Sequence, residues 1–201
     1  TKLERVPIVT NLRHDQLDSV ITEATLLGET LAGYEFAPEL AFGFRLARHL
    51  KAQREVVRGK PENFNRPDYN FRLVADEGAA AGEPDGSETV LIITRQRGAP
   101  LDLIVAEAMI LANSTWGGWL AECGVPGIYR SQAALAPGVK VRMGIRPAPH
   151  AGMGVAQYTW ASSPLRRYVD LVNQWQIIAC TRHGRTAALA APFKAKDTAL
   201  F

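Results

Sequence analysis

The chain has 201 residues, enough for one large domain with a sizeable core. Apolar residues make up 47% and charged residues 21%, as in an ordinary soluble globular protein, and no apolar run approaches the ~20 residues that span a bilayer. The net charge of +3 is uneven: residues 1–100 carry 13 Lys+Arg against 15 Asp+Glu, residues 101–201 carry 10 against 5, and the basic C-terminal half suits an anionic partner.

In chain order, residues 15–32 read as a helix with Leu17, Val20, Ile21 and Ala24 on one face. A second helix runs from Pro38 to Arg58 and stops at Gly59. "RPDYNFRLVAD" alternates Tyr69, Phe71 and Leu73 and reads as a strand, with Tyr69 expected in the core. "TVLIITRQRG" reads as its return strand, across a loop of small and acidic residues, 78–87. "APLDLIVAEAMILANSTWGGWLAECG" reads as a mostly apolar, buried helix ended by Gly124, with Glu107 and Asn113 as polar interruptions. "PGIYRSQ" reads as a short strand, and 137–161 as Gly- and Pro-rich chain with short β pieces. A last helix is expected from an N-cap at Ser163, through Pro164, to about Arg182. Its apolar face would be Leu165, Tyr168, Val169, Val172 and Trp175.

That last helix raises the functional question. Its expected first turn holds Arg166 and Arg167, where the helix dipole disfavours positive charge. A helix N-terminus offers free N–H groups, and arginine adds bidentate donors suited to phosphate, so the pair reads as a phosphate clamp. The plain alternative is a salt bridge, from Arg167 to an acidic residue or from Arg166 to Asp170. Glu107 needs a partner if buried: Arg166, Arg167 or a ligand, against a place on the helix's wet edge. Asn113 is read as the brace of a neighbouring loop. His150 opens a Gly-spaced loop that would let backbone approach a ligand closely; the alternative is a satisfied core histidine. Phe64 stands near Arg66 and is the candidate for stacking a nucleobase.

Four scattered histidines make no zinc spacing, and no cluster of aspartates supplies a metal site, so no metal ligand is assigned. Cys123 and Cys180 lie far apart outside any CxxC, which suggests a reducing, cytoplasmic setting; no basic leader with an apolar core is visible. The chain starts at Thr1 without a methionine, and a fragment of a longer protein is expected.

"HAGMGVAQYTWASSPLRRYVDLVNQW" resembles the signature of the ribonuclease II / ribonuclease R (RNB) family: a His-x-Gly loop, an aromatic, then Ser-Pro-Ile-Arg-Arg-Tyr and Asp-Leu. "RPDYNFRL", "LIVAEAMILANSTWGGWLAECGVPGIYR" and "NLRHDQLDSVI" resemble further stretches of that family in the same order. The sequence departs from it at His14, at Ala106 beside Glu107, and in the register of Phe64. The resemblance implies an α+β fold, a mostly antiparallel sheet packed by long helices, with residues 1–201 forming one domain, the C-terminal part of an RNB catalytic domain. It implies a hydrolytic 3′→5′ exoribonuclease that degrades single-stranded RNA to nucleoside 5′-monophosphates. Mg²⁺ would be the cofactor, its aspartate ligands lying before residue 1, and an S1-type domain would follow. By this resemblance Arg166 contacts the scissile or terminal phosphate. Arg167 and Ser163 support that region, Glu107 and Asn113 line or brace the channel, and Phe64 stacks the last bases. A non-catalytic RNA-binding relative is the alternative.

Overall fold

The computed structural model describes residues 5–12, 17–62, 67–74, 86, 88–95 and 98–200. Six α-helices and four strands follow in the order α1 (Glu23–Leu27), α2 (Ala37–Arg58), β1 (Asp68–Val74), β2 (Thr89–Arg95), α3 (Pro100–Glu122), β3 (Tyr129–Ser131), β4 (Arg142–Gly144), α4 (Tyr168–His183), α5 (Ala187–Ala190) and α6 (Ala195–Thr198) among these residues. The fold is α+β, and its ladders are antiparallel, but they form two separate two-stranded sheets instead of one broad sheet.

Helix α3 is the central element. Pro100 fits its first turn, where an N–H has no partner inside the helix. Leu101 joins Ile21, Leu26 and Phe44 in one buried cluster. Leu120, near its other end, joins Val125, Ala179, Cys180, Ala187 and Ala191 in a second. Burying each of the larger of these side chains stabilises by roughly 1.5–3 kcal/mol, so α3 links the N-terminal helices to α4 and α5. Helix α2 covers nearly the range its periodicity predicts, and Gly59 closes it in a left-handed conformation at φ 71°.

Three expectations change. The expected 15–32 helix is not continuous: among the described residues Glu23–Leu27 forms an α-helix after a capping box at Thr22, Val20 lies exposed in a turn, and residues 13–16, with His14, lie outside the described residues. Tyr69 is 54% exposed, not core, because the β1–β2 hairpin has most of both faces open to solvent. The hairpin is tied down through Arg95, which bonds Asp18 at 2.6 Å and Asp102 at 3.1 Å. Most of the 78–87 loop lies outside the described residues.

The third change bears on function. Helix α4 begins at Tyr168, not Ser163, and Arg167 is its extended N-cap. Ser163–Arg167 forms a turn in which the Arg166 and Arg167 amides both donate to the Ser163 carbonyl, at 3.3 and 3.1 Å. The cause is Asp170. It sits in the first turn of α4, where the dipole favours a carboxylate, and it draws the Ser163 amide (2.8 Å) and the Arg167 guanidinium onto itself. The two arginines therefore stand before the first turn of the helix, Arg167 as its N-cap. Leu165 and Tyr168 are exposed in consequence, and Val172 carries the buried face with Ala179 and Cys180.

Candidate functional site

The segment Tyr158–Ser163 leads into the arginine turn and is held from three sides. From β3, the Arg130 amide donates to the Tyr158 carbonyl at 2.8 Å. From α3, the Asn113 carbonyl accepts from the Thr159 hydroxyl (2.9 Å), and its side-chain oxygen accepts from the Ala161 amide (3.0 Å). The same Asn113 donates through Nδ2 to the Tyr158 and Ser162 hydroxyls, both at 3.2 Å. From α4, Asn173 donates to the Trp160 carbonyl at 2.9 Å and Gln174 to the Ala161 carbonyl at 2.7 Å. Buried amide side chains thus replace a sheet partner for this stretch, as buried backbone groups require. The close approach depends on Gly117 and Gly118 in α3. A Cβ at Gly118 would stand 2.8 Å from Gln157 Nε2, and one at Gly117 3.2 Å from Thr159 Cγ2.

At the end of this rope the arginines separate in role. Arg166 is exposed and makes no ion pair among the described residues. Arg167 grips the fully buried Asp170 as a fork, Nε to Oδ2 and Nη2 to Oδ1, both at 2.7 Å. The salt-bridge alternative is therefore realised at Arg167, not at Arg166. Arg167 also lies over the Trp160 ring, 4.5 Å from its centroid, and Arg130 lies over the same ring at 3.9 Å. Burial pushes the Arg130 pKa below its ordinary value; Tyr158 opposes the shift and the charge of Arg167 adds to it.

Glu107 is buried, but its partner is Arg54 of α2, not Arg166 or Arg167. Arg54 Nε donates to Glu107 Oε2 at 2.9 Å and Nη2 donates to Glu107 Oε1. The same guanidinium reaches the Met153 carbonyl at 2.6 Å and Glu62 at 2.8 Å. Burial opposes the Arg54 charge, but the bonds from Glu107 and Glu62 outweigh it and raise its pKa. This network fastens α2, α3 and the Gly-spaced loop together beside a cavity of about 200 Å³ lined by Arg54, Glu107, Ser114 and Gly154, with neither arginine of the turn in its wall.

His150 is 3% exposed and lies under the loop. Its Nδ1 accepts from the Met153 amide at 3.2 Å and its ring meets Tyr158 edge-on. Burial, then Arg130, lower its pKa. Ser163 contributes backbone groups to the turn. Phe64 lies outside the described residues. Sequence reasoning missed Arg54, Arg130, Trp160, Asp170 as the organiser, and Asn173. The polar run Asn173-Gln174 inside a helix with an apolar face was the available signal for the last of these.

Residues 139–183, which hold the Gly-spaced loop, Trp160, the arginine turn and α4, match the sequence model of the RNB domain. That stretch is similar to the RNB domain. Over 101 aligned residues the chain is 34% identical to an uncharacterized ribonuclease of Synechocystis, sll1290, covering 39% of this chain and 15% of that protein. Its fold is similar to that of an active-site mutant of Dss1 exoribonuclease from Candida glabrata, with TM-score 0.60, 20% identity, and coverage of 82% of this chain and 25% of that one. It is also similar to Mycoplasma genitalium RNase R in complex with double-stranded RNA, with TM-score 0.55, 15% identity, and coverage of 92% and 38%. The likenesses to the solved structures concern the fold, and the chain spans under half of each of these proteins.

The described residues do not fit a Mg²⁺ site. No group of three or more His, Cys, Asp or Glu side chains comes together among them, and the buried carboxylates Glu107 and Asp170 are both bound by arginine. Among the described residues no helix is long and apolar enough to cross a membrane.

Proposed function

We propose that this chain supplies the phosphate-holding part of the RNA channel of a hydrolytic 3′→5′ exoribonuclease acting on single-stranded RNA and releasing nucleoside 5′-monophosphates. The observation that carries the reading is Arg166: an exposed guanidinium with no ion pair among the described residues, on a turn that Asp170 and Asn113 hold in place. A fixed, unneutralised guanidinium is built to receive an oxyanion. The match of residues 139–183 to the RNB domain and the names of similar proteins, ribonuclease and exoribonuclease, support the substrate class.

In this reading Arg166 contacts the scissile or terminal phosphate. Its charge grows in value as negative charge gathers on the phosphoryl oxygens in the pentacovalent transition state. Arg167 and Ser163 shape the turn, and Asn113, Glu107 and His150 act from beneath the surface through the backbone they hold. Phe64 keeps its proposed stacking role. The Mg²⁺ that such hydrolysis uses is assigned to carboxylates outside the described residues, and no step here passes through it. The proposed setting is the reducing cytoplasm, which suits two free cysteines.

The test is binding of a labelled single-stranded oligouridylate to the 201-residue chain across a range of salt. The expected result is affinity that falls with salt and drops about tenfold further in Arg166→Ala. Stability should change by less than about 0.5 kcal/mol, since the side chain is exposed and unpaired. Salt-independent or absent binding, or an Arg166→Ala chain that binds as well as the parent, overturns the reading. The same chain should not degrade the RNA when Mg²⁺ is added, and efficient hydrolysis would refute the assignment of the metal ligands.

A further inference from the structure

We propose that Arg130, whose Cζ lies 3.9 Å over the Trp160 ring, is a second phosphate-binding residue of the site, taking another phosphodiester of the strand that Arg166 holds. The inference rests on the RNA reading above, and it concerns a residue that lies before the stretch matched by the RNB domain model. Its basis is an imbalance of charge. Two guanidinium groups share one indole, with Arg130 Cζ at 3.9 Å and Arg167 Cζ at 4.5 Å from the ring centroid. One carboxylate serves this pair. Asp170 gives both oxygens to Arg167, and Oδ1 also takes the Ser163 amide. Arg130 has no carboxylate partner among the described residues, and it is half-buried beside a like charge.

A cation so placed is satisfied by an anion from outside. The attraction to the indole face uses no N–H group, and the guanidinium's N–H groups donate in its own plane, a fork that matches the two non-bridging oxygens of a phosphodiester. The placement is rigid, because the Arg130 amide is bonded to the Tyr158 carbonyl and the Trp160 carbonyl to Asn173. Arg167 on the same ring connects Arg130 directly to the turn that presents Arg166. A polymer with regularly spaced charges fits such a row better than a single ion.

The experiment extends the oligouridylate titration to Arg130→Gln, Arg130→Lys and Trp160→Phe. Each phosphate neutralised on single-stranded nucleic acid adds about 0.7 to the slope of log K against log salt. Arg130→Gln should lower the slope by about that amount and weaken binding about tenfold at low salt. Arg130→Lys should keep the slope, because the charge remains, and Trp160→Phe should weaken binding with the slope retained. If Arg130 only supported the fold, Arg130→Gln would melt earlier with an unchanged slope, and that result overturns the inference while leaving the RNA reading intact. Absence of salt-dependent binding in the unsubstituted chain overturns both. Replacing chloride by inorganic phosphate at equal ionic strength should leave Arg130→Gln and the parent equally affected; selective displacement from the parent would reassign Arg130 to free phosphate and overturn the polymer assignment.

Discussion

Asp170 decides what its neighbours become. A carboxylate with no exposed surface in the first turn of α4 takes one backbone amide and a two-pronged guanidinium, and so fixes where the helix starts and which arginine stays free. Asp170→Asn removes the charge and turns an amide N–H toward donors. The expected loss is about 2 kcal/mol of stability, in the range for hydrogen bonds to charged groups, measured by urea unfolding at neutral pH. A change under about 0.5 kcal/mol would show that the turn stands without it. The sequence offers Asp170 as a partner of Arg166, four residues before it; that it takes Arg167 instead is not legible there, because spacings of three and four residues both face one another on a helix. Glu107 shows the same limit from the other side. Its need for a partner followed from a carboxylate in an apolar helix, but Arg54 stands 53 residues earlier and no local spacing points to it.

Among the elements, α2 and α3 were legible because period and punctuation agree: apolar residues at helical spacing, a proline at the start, a glycine at the end. Helix α4 was misread at its start because Ser163-Pro164 satisfies a local N-cap rule, while the actual boundary is set by a side chain a full turn further on. The Gly-spaced loop was recognised as a place of close approach, and the approach is to protein: Gly154, at φ 66°, would put a Cβ 2.3 Å from the Arg54 carbonyl oxygen and 2.9 Å from Arg58 Cγ. Gly154→Ala should therefore cost about 1–3 kcal/mol, from a strained backbone and a clash with helical backbone that cannot shift cheaply. Thermal and urea unfolding of that variant would check it, and wild-type stability would show that α2 and the loop can part without loss.

For the whole molecule, two buried clusters joined by α3 set the rigid part, and the β1–β2 hairpin stands apart from them with Tyr69, Phe71, Leu73, Val90 and Ile92 all more than half exposed. Hydrogen exchange should then show amides of α3 and α4 protected up to global unfolding and those of β1 and β2 exchanging by local opening, since a two-stranded ladder with little buried area is marginal alone. Equal protection throughout would contradict this division. The sequence by itself determined the long helices, the hairpin, the basic half and the family signature around Arg166, because period, capping residues and charge are properties of neighbouring residues. Only the tertiary structure decided that Arg54 neutralises Glu107, that Asp170 claims Arg167 and leaves Arg166 open, and that Arg130 meets Trp160. Pairings between buried charges are chosen by burial and distance after distant segments pack, and neither quantity exists until the chain has folded.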